Sequence, residues 1–172
     1  MKKTLLTYGL SIPAVIVILD QLSKYWAISK FDVPMNICEI NPRPGLEIEV
    51  SPIFDWALVC NQGVSWGLLQ GDSSVKRWLL TIFAFVMCGV LIYALTKTAD
   101  WMSKLAIALI IGGAIGNGID RALYGAVTDF INFSDIGFKW VFNIADSAIT
   151  VGVVILIAAS FFAPKDEIPP QI

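Results

Sequence analysis

Residues 142–162 read FNIADSAITVGVVILIAASFF, one apolar run with a single acid, Asp146, about a turn inside it. A run of about 20 apolar residues is what an α-helix needs to cross a bilayer. A carboxylate at that depth costs roughly 2.5 kcal/mol or more. The stretch therefore points to a membrane-embedded helical fold, and it raises the question of what chemistry retains the acid.

The whole chain agrees with that start. Of its 172 residues, 56% are hydrophobic and 15% charged, against roughly 25% charged in a soluble domain; mean hydropathy is +0.72. A formal net charge of −2 leaves no basic excess, and so no reason to expect a nucleic-acid partner. The sequence contains no histidine, which excludes Ser-His-Asp and Cys-His catalysis, His zinc sites and imidazole proton shuttles. Acid–base chemistry falls to Asp, Glu, Lys, Tyr or Cys. Cys38, Cys60 and Cys88 have no metal-type spacing, so neither a metal nor another cofactor is expected. Cys88 reads as core, and a Cys38–Cys60 disulfide is open if that segment is extracytoplasmic.

Four apolar segments emerge, about 5–27, 78–95, 105–123 and 142–162, each near spanning length. The first opens MKKTLL, like a signal peptide, but has no A-x-A-like cleavage site and runs on into DQLSKYW, so it is read as retained. With four spans, the short segments on one side carry Lys2, Lys3, Lys97, Lys104 and Lys165. Lys30, Arg43, Lys76, Arg77 and Lys139 are spread through the longer opposite side. The positive-inside rule then puts both termini in the cytoplasm.

The outer segments are about 29–75 and 124–141. LEIEV alternates apolar and charged residues, INPRPG is a turn cluster, and FDWALVCN and VTDFINF read as extended. A small antiparallel sheet at the outer membrane surface is expected. The tail 164–172 is polar and proline-bearing, and no internal repeat is seen. The chain is expected to form a single membrane-embedded domain over 1–172.

That topology brings Asp20 and Lys24, Asn117, Asp120 and Arg121, Asp129, and Asn143 and Asp146 to one layer at the outer ends of the helices. Asp20–Lys24 reads equally as an intrahelical ion pair, and Asp120–Arg121 as a structural charge group. Asn61 can be a turn residue. Gly112 and Gly116 form a GxxxG, which more often means helix packing. Asp129 and Asp146 have no basic residue within a helical turn. Two such acids at one depth suggest a pair sharing one proton: one carboxylate activates water and the other protonates the bond under attack. The competing class is a membrane carrier or channel subunit with intramembrane carboxylates as proton or ion sites.

DQLSK (20–24), NQGVSWG (61–67), GNGIDR (116–121), VTDF (127–130) and FNIAD (142–146), in that order, resemble lipoprotein signal peptidase, or signal peptidase II. The resemblance implies a four-helix bacterial inner-membrane aspartic endopeptidase with a small periplasmic sheet, a short interfacial helix and a periplasm-facing site. Its substrates would be prolipoproteins bearing a diacylglyceryl cysteine, cut just before that cysteine; membrane lipid is the other partner, and no obligate protein partner is implied. Carried over by motif, the catalytic residues are Asp129 and Asp146. Asp20, Lys24, Asn61, Gly63, Asn117, Arg121, Asn143 and Ala145 would bind or organise substrate, and Asp120 would support the site by anchoring Arg121. Two positions depart from the family pattern: Thr128 stands where Val is usual, and Trp66 where Phe is commoner.

Overall fold

The computed structural model describes residues 5–63 and 73–162. The first helix runs from residue 5 to residue 30 and is divided by a π-helical turn, Thr7–Ser11, from helix α1, Ile12–Lys30. Pro13 explains the break: it lacks an N–H and crowds the carbonyl four residues back, and a widened turn just before it relieves both. A four-residue helix α2, Ile37–Ile40, leads to strands β1, Leu46–Ser51, and β2, Phe54–Asn61. Helices α3, Ser73–Lys97, and α4, Trp101–Tyr124, are joined by a short turn. Strand β3, Val127–Phe133, a 3₁₀ turn at Ser134–Ile136 and strand β4, Phe138–Phe142, precede helix α5, Ile144–Phe162.

Among the described residues three helices are long and apolar enough to cross a membrane: Ser74–Lys97, Trp101–Tyr124 and Ile144–Phe161. The expected first span is helical but is not among them. Asp20, Gln21, Ser23 and Lys24 interrupt its apolar character over the turns nearest the sheet. The second expected span is longer than 78–95, because helix α3 takes in Lys76, Arg77 and Lys97 as flanking residues. The fourth begins later than expected: Phe142 closes strand β4, and helix α5 starts at Ile144. Long apolar side chains of α3, among them Leu79, Ile82, Phe83 and Val86, are exposed, as a lipid-facing surface requires.

The four strands form one antiparallel sheet in the order β1-β2-β3-β4. LEIEV, FDWALVCN and VTDFINF, read as alternating or extended, are all realised as strands; β4 escaped the sequence reading because FKWVF alternates only weakly. Cys38 and Cys60 are paired in a disulfide that closes 22 residues of chain, a constraint on the unfolded state of order 3 kcal/mol. Around it Ile28, Ile37, Leu58 and Ala126 form a small core joining α1, α2 and the sheet. A second core, with Cys88, Leu95, Ile107 and Ile111, lies among the helices. The expected polar tail and Trp66 lie outside the described residues.

Close helix approach sets the site. A Cβ on Gly112 would sit 2.7 Å from Ile16 Cβ, and one on Gly116 would sit 2.7 Å from Asp20 Oδ2 and 3.4 Å from Ala145 Cβ. Helices α1, α4 and α5 therefore meet where only glycine leaves room, and the GxxxG serves packing as expected.

Candidate active site

Helix α4 is capped at both ends. The Asp100 side chain accepts the Ser103 N–H at its start, and Gly125 takes a left-handed conformation (φ 80°) just past its end. Arg77 reaches over from α3 to donate to the Arg121 and Ala122 carbonyls, at 2.7 and 2.5 Å, a second donor for Arg121 O, which also accepts the Gly125 N–H. This fixed end delivers Asn117, Asp120 and Arg121 to the sheet.

Lys24 holds the buried side of the site. Its ammonium lies 2.7 Å from Asp20 Oδ2, 2.9 Å from Asp120 Oδ2 and 3.2 Å from Asn117 Oδ1. Asp20 also accepts the Ala145 N–H at 2.9 Å, tying α1 to the first turn of α5. Asp120 further accepts from Gln21 Nε2, at 2.8 Å, and from the Thr128 N–H, at 3.0 Å. Toward Arg121, which Asp120 was expected to anchor, Asp120 contributes its charge, while its hydrogen bonds go elsewhere. Adjacent helical residues point about 100° apart, so Asp120 turns to Lys24 while Arg121 faces another side. Asp120 remains a structural support, through a different partner.

Asp129 and Asp146 form the other half. Asp129 sits in β3, opposite Val59 of β2 in register. Asn61, two residues further along β2, reaches it diagonally and donates to Asp129 Oδ2 at 3.0 Å. Asn143 heads α5: its Oδ1 accepts the Asp146 N–H at 2.8 Å, and its Nδ2 donates to Asp129 Oδ1 at 2.7 Å. Asn117 Nδ2 donates to Asp146 Oδ1 at 2.7 Å, and its Oδ1 accepts from Asn143 Nδ2 at 3.2 Å. Amide side chains thus link the two carboxylates. Among the described residues neither acid is in a salt bridge; both ion pairs belong to Lys24.

Burial, and then the nearby Asp146 carboxylate, push Asp129 up to about 7, against the opposing bonds from Asn61 and Asn143 and the charge of Lys24. Such a pair keeps one proton near neutral pH and releases it as a unit. That is the protonation state needed to deprotonate a water and protonate a leaving group in one site.

The site has a closed and an open side. Asp20, Lys24, Asn117, Asp120, Asn143 and Ala145 are buried, with their polar groups engaged internally. Of the residues expected to bind or organise substrate, Asp20 and Lys24 pack beneath the acids with almost no exposed surface. Asn61 is exposed, and Gly63, Arg121 and Asp146 are partly so. Arg121 is bordered by Asp146, Asp129 and Asp120, and its Nε has no hydrogen-bond partner among the described residues. Gly63 (φ 75°) lies beside Arg121 and Leu80, and a Cβ there would sit 2.5 Å from Leu80 Cδ1. Gln21 and Arg77 escaped the sequence reading. Gln21 adjoins Asp20 within DQLSK, a signal that was present; nothing along the chain relates Arg77 to residue 121.

Comparison with known proteins places this arrangement. A family model described as signal peptidase (SPase) II matches residues 12–162. The lipoprotein signal peptidase of Caulobacter vibrioides is 40% identical over 94% of this chain and 90% of its own length. That of Polynucleobacter necessarius is 37% identical over 91% of each chain. A bacterial membrane enzyme whose structure was solved by the in meso method at 1.9 Å superposes with a TM-score of 0.72 at 34% identity, covering 94% of both chains.

Proposed function

The chain belongs to the signal peptidase II family of aspartic peptidases, and on that premise we propose that Asp129 and Asp146 are its catalytic dyad. The supporting observation is the amide-linked carboxylate pair, in no salt bridge among the described residues, one member of which is held up to about 7. The carrier reading is not favoured, because relatives sharing most of the chain are named as peptidases.

In the proposed reaction the ionised carboxylate of the pair takes a proton from water, and the water oxygen attacks the scissile carbonyl carbon. The protonated partner gives its proton to the carbonyl oxygen. Collapse of the resulting gem-diol breaks the C–N bond as a proton passes to the leaving nitrogen, and the dyad returns to one proton. Arg121, partly exposed on the open side, holds a substrate carbonyl or lipid ester through its guanidinium. Asn61 and Gly63 border the same opening. Asn143 and Asn117 set the two carboxylates, and Asp20, Lys24, Asp120 and Ala145 set the helices that carry them.

The substrate class is a prolipoprotein carrying a diacylglyceryl cysteine, as the relatives' name suggests, cut before that cysteine. Further parts of the reading are a single domain, a fourth span formed by the first helix, a sheet resting on the outer membrane surface, cytoplasmic termini and a periplasm-facing dyad. The lysine distribution supports this orientation. The test is to incubate the purified protein with a diacylated prolipoprotein and its unmodified counterpart and weigh the products. Release of an intact signal peptide from the diacylated form is expected; equal cleavage of both forms would refute the lipid requirement, and cleavage of neither would refute the assigned substrate.

A further inference from the structure

We propose that the Cys38–Cys60 disulfide is a positioning device for the catalytic strands, so that a dithiol reductant, by opening it, lowers peptidase turnover. The proposal rests on the assignment of Asp129 and Asp146 as the dyad. Cys60 is the penultimate residue of β2, and Asn61, the last, is the residue that donates to Asp129. Beyond Asn61 the chain leaves the sheet through Gln62 and Gly63, and a strand end is where a ladder opens most readily. Across the sheet Cys60 pairs with Thr128 and Asn61 with Val127. Cys38 Sγ also lies 3.9 Å from Thr128 Oγ1. The residue before Asn61 and the residue before Asp129 therefore both rest on Cys38.

Helix α2, which carries Cys38, has only four residues, too few to hold its own shape. The disulfide, within the cluster of Ile28, Ile37, Leu58 and Ala126, ties it to the sheet. Cys38 also borders a cavity of about 180 Å³, with Glu39, Gln62, Arg77 and Tyr124 among its other walls, which gives a small reductant a route. One thiolate of the reductant attacks a protein sulfur and forms a mixed disulfide. Its second thiolate then displaces the protein thiol, leaving Cys38 and Cys60 as thiols and the reductant as a cyclic disulfide; two electrons and two protons pass to the protein.

The groups facing Asp129 are Asn61 from β2, Asn143 and Asp146 from the start of α5, Lys24 from α1 and Arg121 from α4. The Asn61 bond favours ionised Asp129, so loosening it lets the dyad keep its proton to higher pH.

The experiment assays the full chain in detergent on a diacylated prolipoprotein, before and after dithiothreitol, with thiol alkylation and intact mass to count free thiols. Reduction should lower kcat/KM roughly tenfold, short of the ~100-fold that an ångström of misplacement can cost. The alkaline limb of the pH profile should move to higher pH, and reoxidation should restore both. The Cys38→Ser/Cys60→Ser double variant should match the reduced enzyme and ignore dithiothreitol. Unchanged kcat/KM and limb on reduction, a lowered Tm alone, or three free thiols instead of the one expected from Cys88 in denatured protein isolated without reductant would overturn the proposal. Asp129→Asn separates the failures. If it is inactive while reduction changes nothing, only the disulfide's role falls; if it still cleaves, the dyad assignment falls and the proposal with it.

Discussion

Two carboxylate pairs lie in one layer of this molecule and are treated in opposite ways. Asp20 and Asp120 flank the Lys24 ammonium at 2.7 and 2.9 Å, and all three residues are buried. Asp129 and Asp146 receive amide donors from Asn61, Asn143 and Asn117 and no ion pair among the described residues. A cation between two acids ties them together and commits them to structure. Amides bond an acid without neutralising it, so burial and mutual repulsion leave it holding a proton near neutrality. The difference between a strut and a reactive pair is one lysine.

The largest expected effect removes the reactive pair. Asp129→Asn and Asp146→Asn should each lower kcat by about 10³-fold or more, in keeping with the 10²–10⁴ of one acid–base group acting within a coupled unit. The double variant should be scarcely worse than either single one. Retained secondary structure and Tm would show that chemistry alone was lost; substantial cleavage by either folded variant would erase the distinction between the pairs.

Lys24→Met breaks the structural pair. Two buried acids would lose their shared cation, at a cost of about 3–5 kcal/mol, read as a lowered denaturation midpoint in detergent. A midpoint equal to wild type would mean that Lys24 is no strut.

A smaller effect is set by pH. The proposed mechanism needs one proton on the pair, and Asp129 is held up to about 7, so kcat/KM should fall as pH rises through about 7. Stability follows the same group. Folded Asp129 binds its proton more tightly than the unfolded residue, whose ordinary value is 3.8. Its contribution is complete below 3.8, falls as pH rises, and is spent above about 7. Asp129→Asn should remove that component from a plot of Tm against pH, and an unaltered slope would assign it to other groups.

Asn61→Ala is expected to be mildest. It removes one donor to ionised Asp129, so the alkaline limb should move to higher pH with a modest loss of kcat/KM. A limb moving to lower pH would contradict the role given to Asn61.

Much of this was legible along the chain because the bilayer and the sheet impose simple periods. Asp146 stands out within its apolar run, and VTDFINF alternates as a strand must. Asn117 and Asn143 came into view through the topology that puts the outer helix ends in one layer, and Asn61 only through its motif, since an amide in a turn and an amide in a site look alike in one dimension. The charge of the first helix was visible too, but its consequence was not. Asp20 and Lys24 satisfied the four-residue spacing of a local pair, which hid the second acid that Lys24 serves.

The sequence by itself determined the apolar helices, the strand-forming segments, the absence of histidine chemistry and which two acids have no basic neighbour within a helical turn, because each is a property of local composition or spacing. Only the tertiary structure decided which acid faces which donor. Asp120 and Arg121 are neighbours in the chain, but helical rotation separates their side chains. Close packing at Gly116 then lets α1 and α5 approach α4 near enough for Lys24 to take Asp120. Side-chain partners across helices depend on rotation and distance between elements, and neither is encoded at any single position.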